Sequence, residues 1–148
     1  MKTMKAFITR SCGPGARFEA ADIPVPVPVS GQILIEVKAT SLNPVDNVFL
    51  RQDIGMNPEL PAVLHGDVAG VVSAVGQGVE GFKRGDEVYA CAGGFRGHGG
   101  ALAEFMAADA RLVAHKPRTL DFASAAALPL VAITAWEGLI DRANLRSG

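Results

Sequence analysis

The chain has 148 residues, with 14 Lys and Arg against 15 Asp and Glu and a net charge of -1. A chain of this size buries about 68–70% of its unfolded surface, so one core stands without disulfide or metal staples. The near balance of charge gives no electrostatic basis for a nucleic acid or an anionic membrane as partner, and a small uncharged substrate fits better.

Two cysteines, Cys12 and Cys91, are too few for a disulfide framework or a four-thiolate zinc site, and the start MKTMK lacks a secretory apolar core. These features predict a cytoplasmic protein with reduced thiols. No apolar run reaches the ~18 residues of a membrane span.

In chain order, Lys5 to Thr9 and Arg17 to Ile23 read as the arms of a hairpin around the Gly/Pro turn at residues 11–15. Pro24, Pro26 and Pro28 remove alternate amide donors, so that segment is an extended surface stretch. Gln32 to Thr40 alternates with the period of a half-buried strand, placing Ile33, Ile35, Val37 and Ala39 on one face. It delivers the stretch SLNPVDNVFLRQ (41–52), where Asn43 is placed to cap a short helix that Pro44 opens. Asp53 to Pro61 is an irregular loop, suited to the rim of a pocket.

Val68 to Val75 reads as a buried strand, and the spacing of His65 and Asp67 predicts that they face the same way. Glu87 to Cys91 is a further strand, residues 92–100 a glycine-rich loop, and Ala101 to Ala107 and Arg111 to His115 two more strands. Many short strands and few helices indicate a mainly β fold, a partly open β-barrel over residues 1–120. From Asp121 the Ala- and Leu-rich composition predicts two helical segments kinked at Pro129, making 121–148 a helical connection.

Gly76-Gln77-Gly78-Val79-Glu80-Gly81 matches G-x-G-x-x-G and follows a strand. A dinucleotide site requires that the last glycine open a helix, whereas Phe82 to Asp86 runs into another strand. The reading is therefore a turn anchored by Phe82.

Five runs in order, NPVD (43–46), HGDVAGVVSAVGQGV (65–79), GFKRGDEV (81–88), GGALAEF (99–105) and AAALPLVAITAWEGL (125–139), resemble the zinc-independent quinone oxidoreductase (zeta-crystallin-like) group of the medium-chain dehydrogenases/reductases. The resemblance implies a GroES-like catalytic domain followed by a Rossmann domain that holds NADPH, with the true glycine fingerprint beyond Gly148. It implies a fragment that is inactive alone and a homodimer when full length.

Zinc-dependent relatives carry a ligand Cys where Asn43 stands, a relay Ser or Thr where Val45 stands, and Gly-His-Glu where His65-Gly66-Asp67 stands. An amide and a glycine cannot supply converging zinc ligands, so no zinc is expected. His65, Asp67, Cys91 and His98 were the remaining residue types able to form an improvised metal set. Without a metal to hold an alkoxide, reduction of a quinone or α,β-unsaturated carbonyl by NADPH is favoured, because a conjugated oxygen spreads the incoming charge.

The resemblance places Asn43 beside the nicotinamide ribose and the substrate, where its amide could donate; the plain alternative is a helix cap. Phe49 stands one place beyond the usual catalytic Tyr, and Asp46 is either structural or a cofactor contact. Thr134 matches a position beside the nicotinamide carboxamide, or else bonds back to a helix carbonyl. Arg51 either reaches the cofactor phosphates or faces solvent, and Trp136 is expected to pack at the junction of the two domains, while Asp67 is expected to order Arg51 or the loop from Asp53. Other readings are a zinc-containing alcohol dehydrogenase-like enzyme, an enoyl-thioester reductase, and a non-catalytic GroES-like binding module.

Overall fold

A computed structural model describes residues 2–146. The chain runs β1 (Thr3–Ile8), β2 (Glu19–Pro24), β3 (Gln32–Thr40), α1 (Pro44–Arg51), β4 (Asp67–Val75), β5 (Glu87–Cys91), β6 (Phe105–Asp109), β7 (Val113–His115), α2 (Phe122–Ala126) and α3 (Pro129–Trp136). It is mainly β with short helices, as its punctuation by Gly and Pro predicts.

β1 and β2 form the expected antiparallel hairpin. The main sheet has the order β6-β3-β4-β5-β7, with every neighbouring pair antiparallel. Its centre is β3 on β4, and Ile33, Ile35, Val68, Val72, Val88 and Met106 form the principal core beneath them. Gly70 makes that pairing possible, since a β-carbon there would lie 2.2 Å from the Glu36 carbonyl oxygen.

Residues 101–104 do not extend β6 as expected. Their backbone joins the hairpin to the sheet: Phe7 N–H donates to Leu102 O at 2.9 Å, Glu104 N–H to Lys5 O at 3.0 Å, and Val37 N–H to Glu104 O at 2.9 Å. The strand predicted at Arg111 is shortened in the same way, because the Asp109 carboxylate accepts from Arg111 N–H at 2.9 Å and draws Ala110–Leu112 into a single 3₁₀ turn.

The G-x-G-x-x-G run is a turn, with Gly78 and Gly81 at φ of 76° and 83°. Phe82 packs against the core and over His115, with ring centroids 5.0 Å apart. The chain then enters β5, not a helix.

Asp121 caps α2 by accepting from Ser124 N–H at 2.7 Å, and α2 docks Ala125 and Ala126 on Ala69 of β4. Lys116 fastens the preceding corner: its buried ammonium lies 3.1 Å from Glu87 Oε2, donates to the carbonyls of Pro117 and Leu120, and sits over the Phe122 ring. The predicted break at Pro129 begins α3, which continues as a π-helical turn over Glu137–Arg142. From Val131 through Ile140 this segment is exposed, Trp136 at 63%.

Candidate active site

Asp67 is 0% exposed at the first position of β4 and collects donors from three elements. Ser41 Oγ donates to its Oδ2 at 2.7 Å, Asn43 Nδ2 to the same oxygen at 2.9 Å, and Leu130 N–H, from the first turn of α3, to Oδ1 at 3.0 Å. Its carbonyl oxygen accepts from Thr40 Oγ1 at 2.7 Å. A buried carboxylate requires such partners, because its desolvation is otherwise uncompensated. Its expected partners were Arg51 or the loop from Asp53; Arg51 is instead exposed at the far end of α1.

Asn43, 6% exposed, precedes α1 with extended backbone, the geometry of a cap. One half of a capping box is made: Asp46 Oδ2 accepts from the Asn43 backbone N–H at 2.8 Å, while Asp46 N–H donates to the Asn43 backbone carbonyl at 3.0 Å and not to its side chain. The Asn43 amide nitrogen donates to Asp67 and, at 3.2 Å, to Ser41 Oγ. Both of its hydrogens are thus committed within the protein. The amide nitrogen is therefore turned inward, and Oδ1, an acceptor, is the side-chain atom without a partner among these bonds.

Asp46 is 2% exposed, and its second oxygen accepts from His65 N–H at 3.2 Å. Both oxygens therefore brace the junction of α1 with the segment before β4.

His65 lies outside β4, so strand alternation does not set its direction relative to Asp67. It lies just ahead of β4 with φ of 72°, an unusual conformation fixed by its bond to Asp46 and by Ala101 N–H donating to its carbonyl at 2.8 Å. Its ring meets Phe18 edge-on, and Nδ1 lies 3.4 Å from Thr40 Oγ1. Burial lowers its pKa, outweighing the opposing pull of Asp46 and Asp67, so the imidazole is neutral near pH 7.

Cys91 lies opposite Asp67 in the β4–β5 pairing. Burial, reinforced by the charge of Asp67 and a hydrogen bond to it, pushes its thiol up to about 12. It is a protonated donor, not a nucleophile.

The donor set does not fit a catalytic zinc. Position 43 presents N–H groups, and Gly66 has no side chain; a β-carbon there would lie 3.0 Å from Gly93 O and 3.3 Å from Cys91 Sγ. His98 of the improvised set packs on Phe95 in the glycine loop, with ring centroids 4.6 Å apart. Among the described residues no three His, Cys, Asp or Glu side chains gather as a metal site.

Phe49 is buried with Leu50, Ala62 and Leu64. It forms one wall of a cleft of about 490 Å³ that Thr9, Asn57, Leu60 and Arg96 also line. Arg96 N–H donates to Met56 O at 2.9 Å, which joins the glycine loop to the expected rim loop. A second cleft, about 470 Å³, lies between the hairpin and β3. Asn43 lines neither. Thr134 is exposed on α3, its hydroxyl donating to Leu130 O at 2.9 Å.

Asp67 as the hub, with Ser41, Cys91 and the Leu130 amide, escaped the sequence reading. The available signal was an Asp opening the otherwise apolar run VAGVV, a position that demands buried donors.

Residues 29–118 match the alcohol dehydrogenase GroES-like domain family. The chain is 39% identical, over 98% of its length and 44% of the relative's, to a chloroplast envelope quinone oxidoreductase homolog of Arabidopsis thaliana. It is 44% identical, over 81% of its length and 32% of the relative's, to an NADPH-dependent alkenal/one oxidoreductase of the same plant. The crystal structure of an alcohol dehydrogenase superfamily protein from Novosphingobium aromaticivorans superposes with a TM-score of 0.90 at 40% identity, covering 99% of this chain and 44% of that one. The chain spans less than half the length of these relatives.

Proposed function

The chain belongs to the alcohol dehydrogenase GroES-like domain family, in the quinone oxidoreductase group of the medium-chain dehydrogenases/reductases, and from that premise we propose that it forms the substrate-side half of a zinc-free, NADPH-dependent reductase of quinones or α,β-unsaturated carbonyls. The observation that carries the proposal is the amide of Asn43, held by Asp67 and Ser41 where zinc-dependent relatives have a thiolate ligand. The names of the relatives agree with it, one being an NADPH-dependent alkenal/one oxidoreductase.

A nicotinamide cofactor would supply the hydride when bound. Asn43 Oδ1 would accept from a ribose hydroxyl, and the exposed Thr134 hydroxyl, on a helix anchored at Leu130, would orient the carboxamide. Phe49 has no proton to give and contributes an apolar wall. Asp46 acts from behind by fixing α1. Charge developing on a conjugated substrate oxygen is met by hydrogen-bond donors and water, which suffices for a quinone or enone and not for an alkoxide.

The same reading makes this chain inactive by itself, because it spans less than half the length of the relatives it matches and Asn43 lines neither of the two clefts described above. A cytoplasmic location, supported by the two free thiols, and a homodimer, supported by the family resemblance, belong to the same proposal. Among the described residues no helix is long and apolar enough to cross a membrane.

A panel of quinones, enones, enoyl thioesters and alcohols, assayed with NADPH and NADH on the full-length polypeptide, tests the proposal. Turnover confined to alcohols, or none with either cofactor, refutes it.

A further inference from the structure

Asn43 and Thr134 are far apart in sequence, yet they are the two ends of one hydrogen-bonded chain. Asn43 Nδ2 donates to Asp67 Oδ2 at 2.9 Å, and Asp67 Oδ1 accepts from Leu130 N–H at 3.0 Å. The carbonyl of that same residue, Leu130, accepts from Thr134 Oγ1 at 2.9 Å. The centre of the chain is a carboxylate with 0% exposure, and its first end is also nearly closed to solvent.

This path is a mechanical link between separate elements. Asn43 stands at the junction of β3 and α1, Asp67 opens β4, and Leu130 lies in the first turn of α3. α2 touches the sheet through Ala125 and Ala126, but α3 beyond Pro129 has little buried apolar surface of its own. A charge-assisted bond to the backbone of its first turn therefore governs where α3 starts. An ionised carboxylate only accepts hydrogen bonds, so it also fixes which way round the Asn43 amide sits, nitrogen inward and oxygen outward.

We infer that Asp67 is a positioning residue that sets Asn43 and Thr134 relative to each other, so that both proposed contacts to the cofactor rest on one buried carboxylate. The inference builds on the reductase reading for its functional consequence, while the geometric coupling stands apart from it. Asp67 touches neither substrate nor cofactor. Its action is to orient the amide and to seat the helix that carries the hydroxyl. Asp67→Asn keeps the shape but supplies an amide in place of one acceptor oxygen, which lets the Asn43 amide turn over. Asp67→Glu keeps the acceptor charge and displaces it by one methylene.

The test has two arms on the full-length polypeptide. In the first, the side-chain NH₂ signals of Asn43 are followed by NMR. The wild type should show both protons slow to exchange, and Asp67→Asn should shift the pair and speed exchange by about tenfold or more, the loss expected for a hydrogen bond to a charged group. Should Asp67→Asn not fold, Asp67→Glu is read in its place and should displace the same signals while keeping them protected. Asn43 signals unchanged in the variant that folds overturn the inference.

In the second arm, NADPH affinity is measured for Asn43→Ala, Thr134→Val and the double variant, with Asp67 present and with the folded Asp67 variant. Members of one network couple, so the two losses should be non-additive with Asp67 and closer to additive in its variant. Additive losses in both backgrounds overturn the shared anchor. If Asn43→Ala and Thr134→Val each leave affinity and turnover unchanged while the NH₂ signals respond to Asp67, the reductase reading fails and the positioning role of Asp67 stands.

Discussion

The Ser41 hydroxyl donates to Asp67 Oδ2 at 2.7 Å, and Asn43 Nδ2 meets the same oxygen at 2.9 Å. One buried oxygen thus serves two donors from the turn between β3 and α1, while its twin serves the start of α3. Removing the carboxylate leaves buried donors without an acceptor, at about 1–3 kcal/mol each. Asp67→Ala should therefore destabilise the protein by about 3 kcal/mol or more, and Ser41→Ala by about 1 kcal/mol. Urea unfolding midpoints at fixed m-value check the order.

Gly70 faces the Glu36 carbonyl across the β3–β4 pair. An added methyl would stand 2.2 Å from that oxygen and 2.8 Å from Ile35 Cγ2, both held by the centre of the core. Gly70→Ala should cost about 3 kcal/mol, at the upper end of overpacking effects, or prevent folding. A comparison with Gly99→Ala, where an added β-carbon has no neighbour within 4 Å, separates steric overlap from loss of glycine as such.

Cys91 gives the pH prediction. Its thiol, pushed up to about 12 in the fold, has an ordinary value of 9.0. Below pH 9 both folded and unfolded chains hold the proton and stability is unaffected. Between the two values the unfolded chain releases it first, so stability falls as pH rises through that window. Cys91→Ala should flatten this alkaline decline in unfolding free energy. In a Cys12→Ser background, alkylation of Cys91 should stay slow through pH 9 and accelerate only well above it.

The segment after Pro129 exposes Val131, Ile133, Trp136, Leu139 and Ile140 along one continuous stretch. Such a surface favours association. The 148-residue chain expressed alone should associate with rising concentration, and the double change Trp136→Ser with Leu139→Ser should shift it towards monomer in sedimentation velocity. A monomeric wild-type chain at high concentration would favour the free-standing binding module.

Local physics made much of the fold legible. β3 and β5 occupy the residues that alternation and turn signals mark, and Asn43-Pro44 opens α1 as capping chemistry requires. The misreadings lie where tertiary bonds took precedence. Residues 101–104 give their backbone to β1, β3 and the Leu64–His65 segment, so β6 begins only at Phe105. His65 departs from strand alternation because Asp46 and Ala101 hold it at positive φ. Asn43 could be picked out by its place beside Pro44, but the direction of its amide could not, since its partner is 24 residues away. The tie from Asp67 to Leu130 spans 63 residues and leaves no periodic trace.

The central claim is that reduction here proceeds without a catalytic zinc, around an Asn43 amide fixed by Asp67. The most direct measurement is NADPH oxidation by the full-length polypeptide with a quinone substrate, before and after exhaustive chelation, with metal content determined on the same samples. The account predicts turnover that survives chelation in a protein carrying less than about one-tenth equivalent of zinc, a trace level against the stoichiometric metal of a true site. Activity lost on chelation and restored by zinc would contradict it.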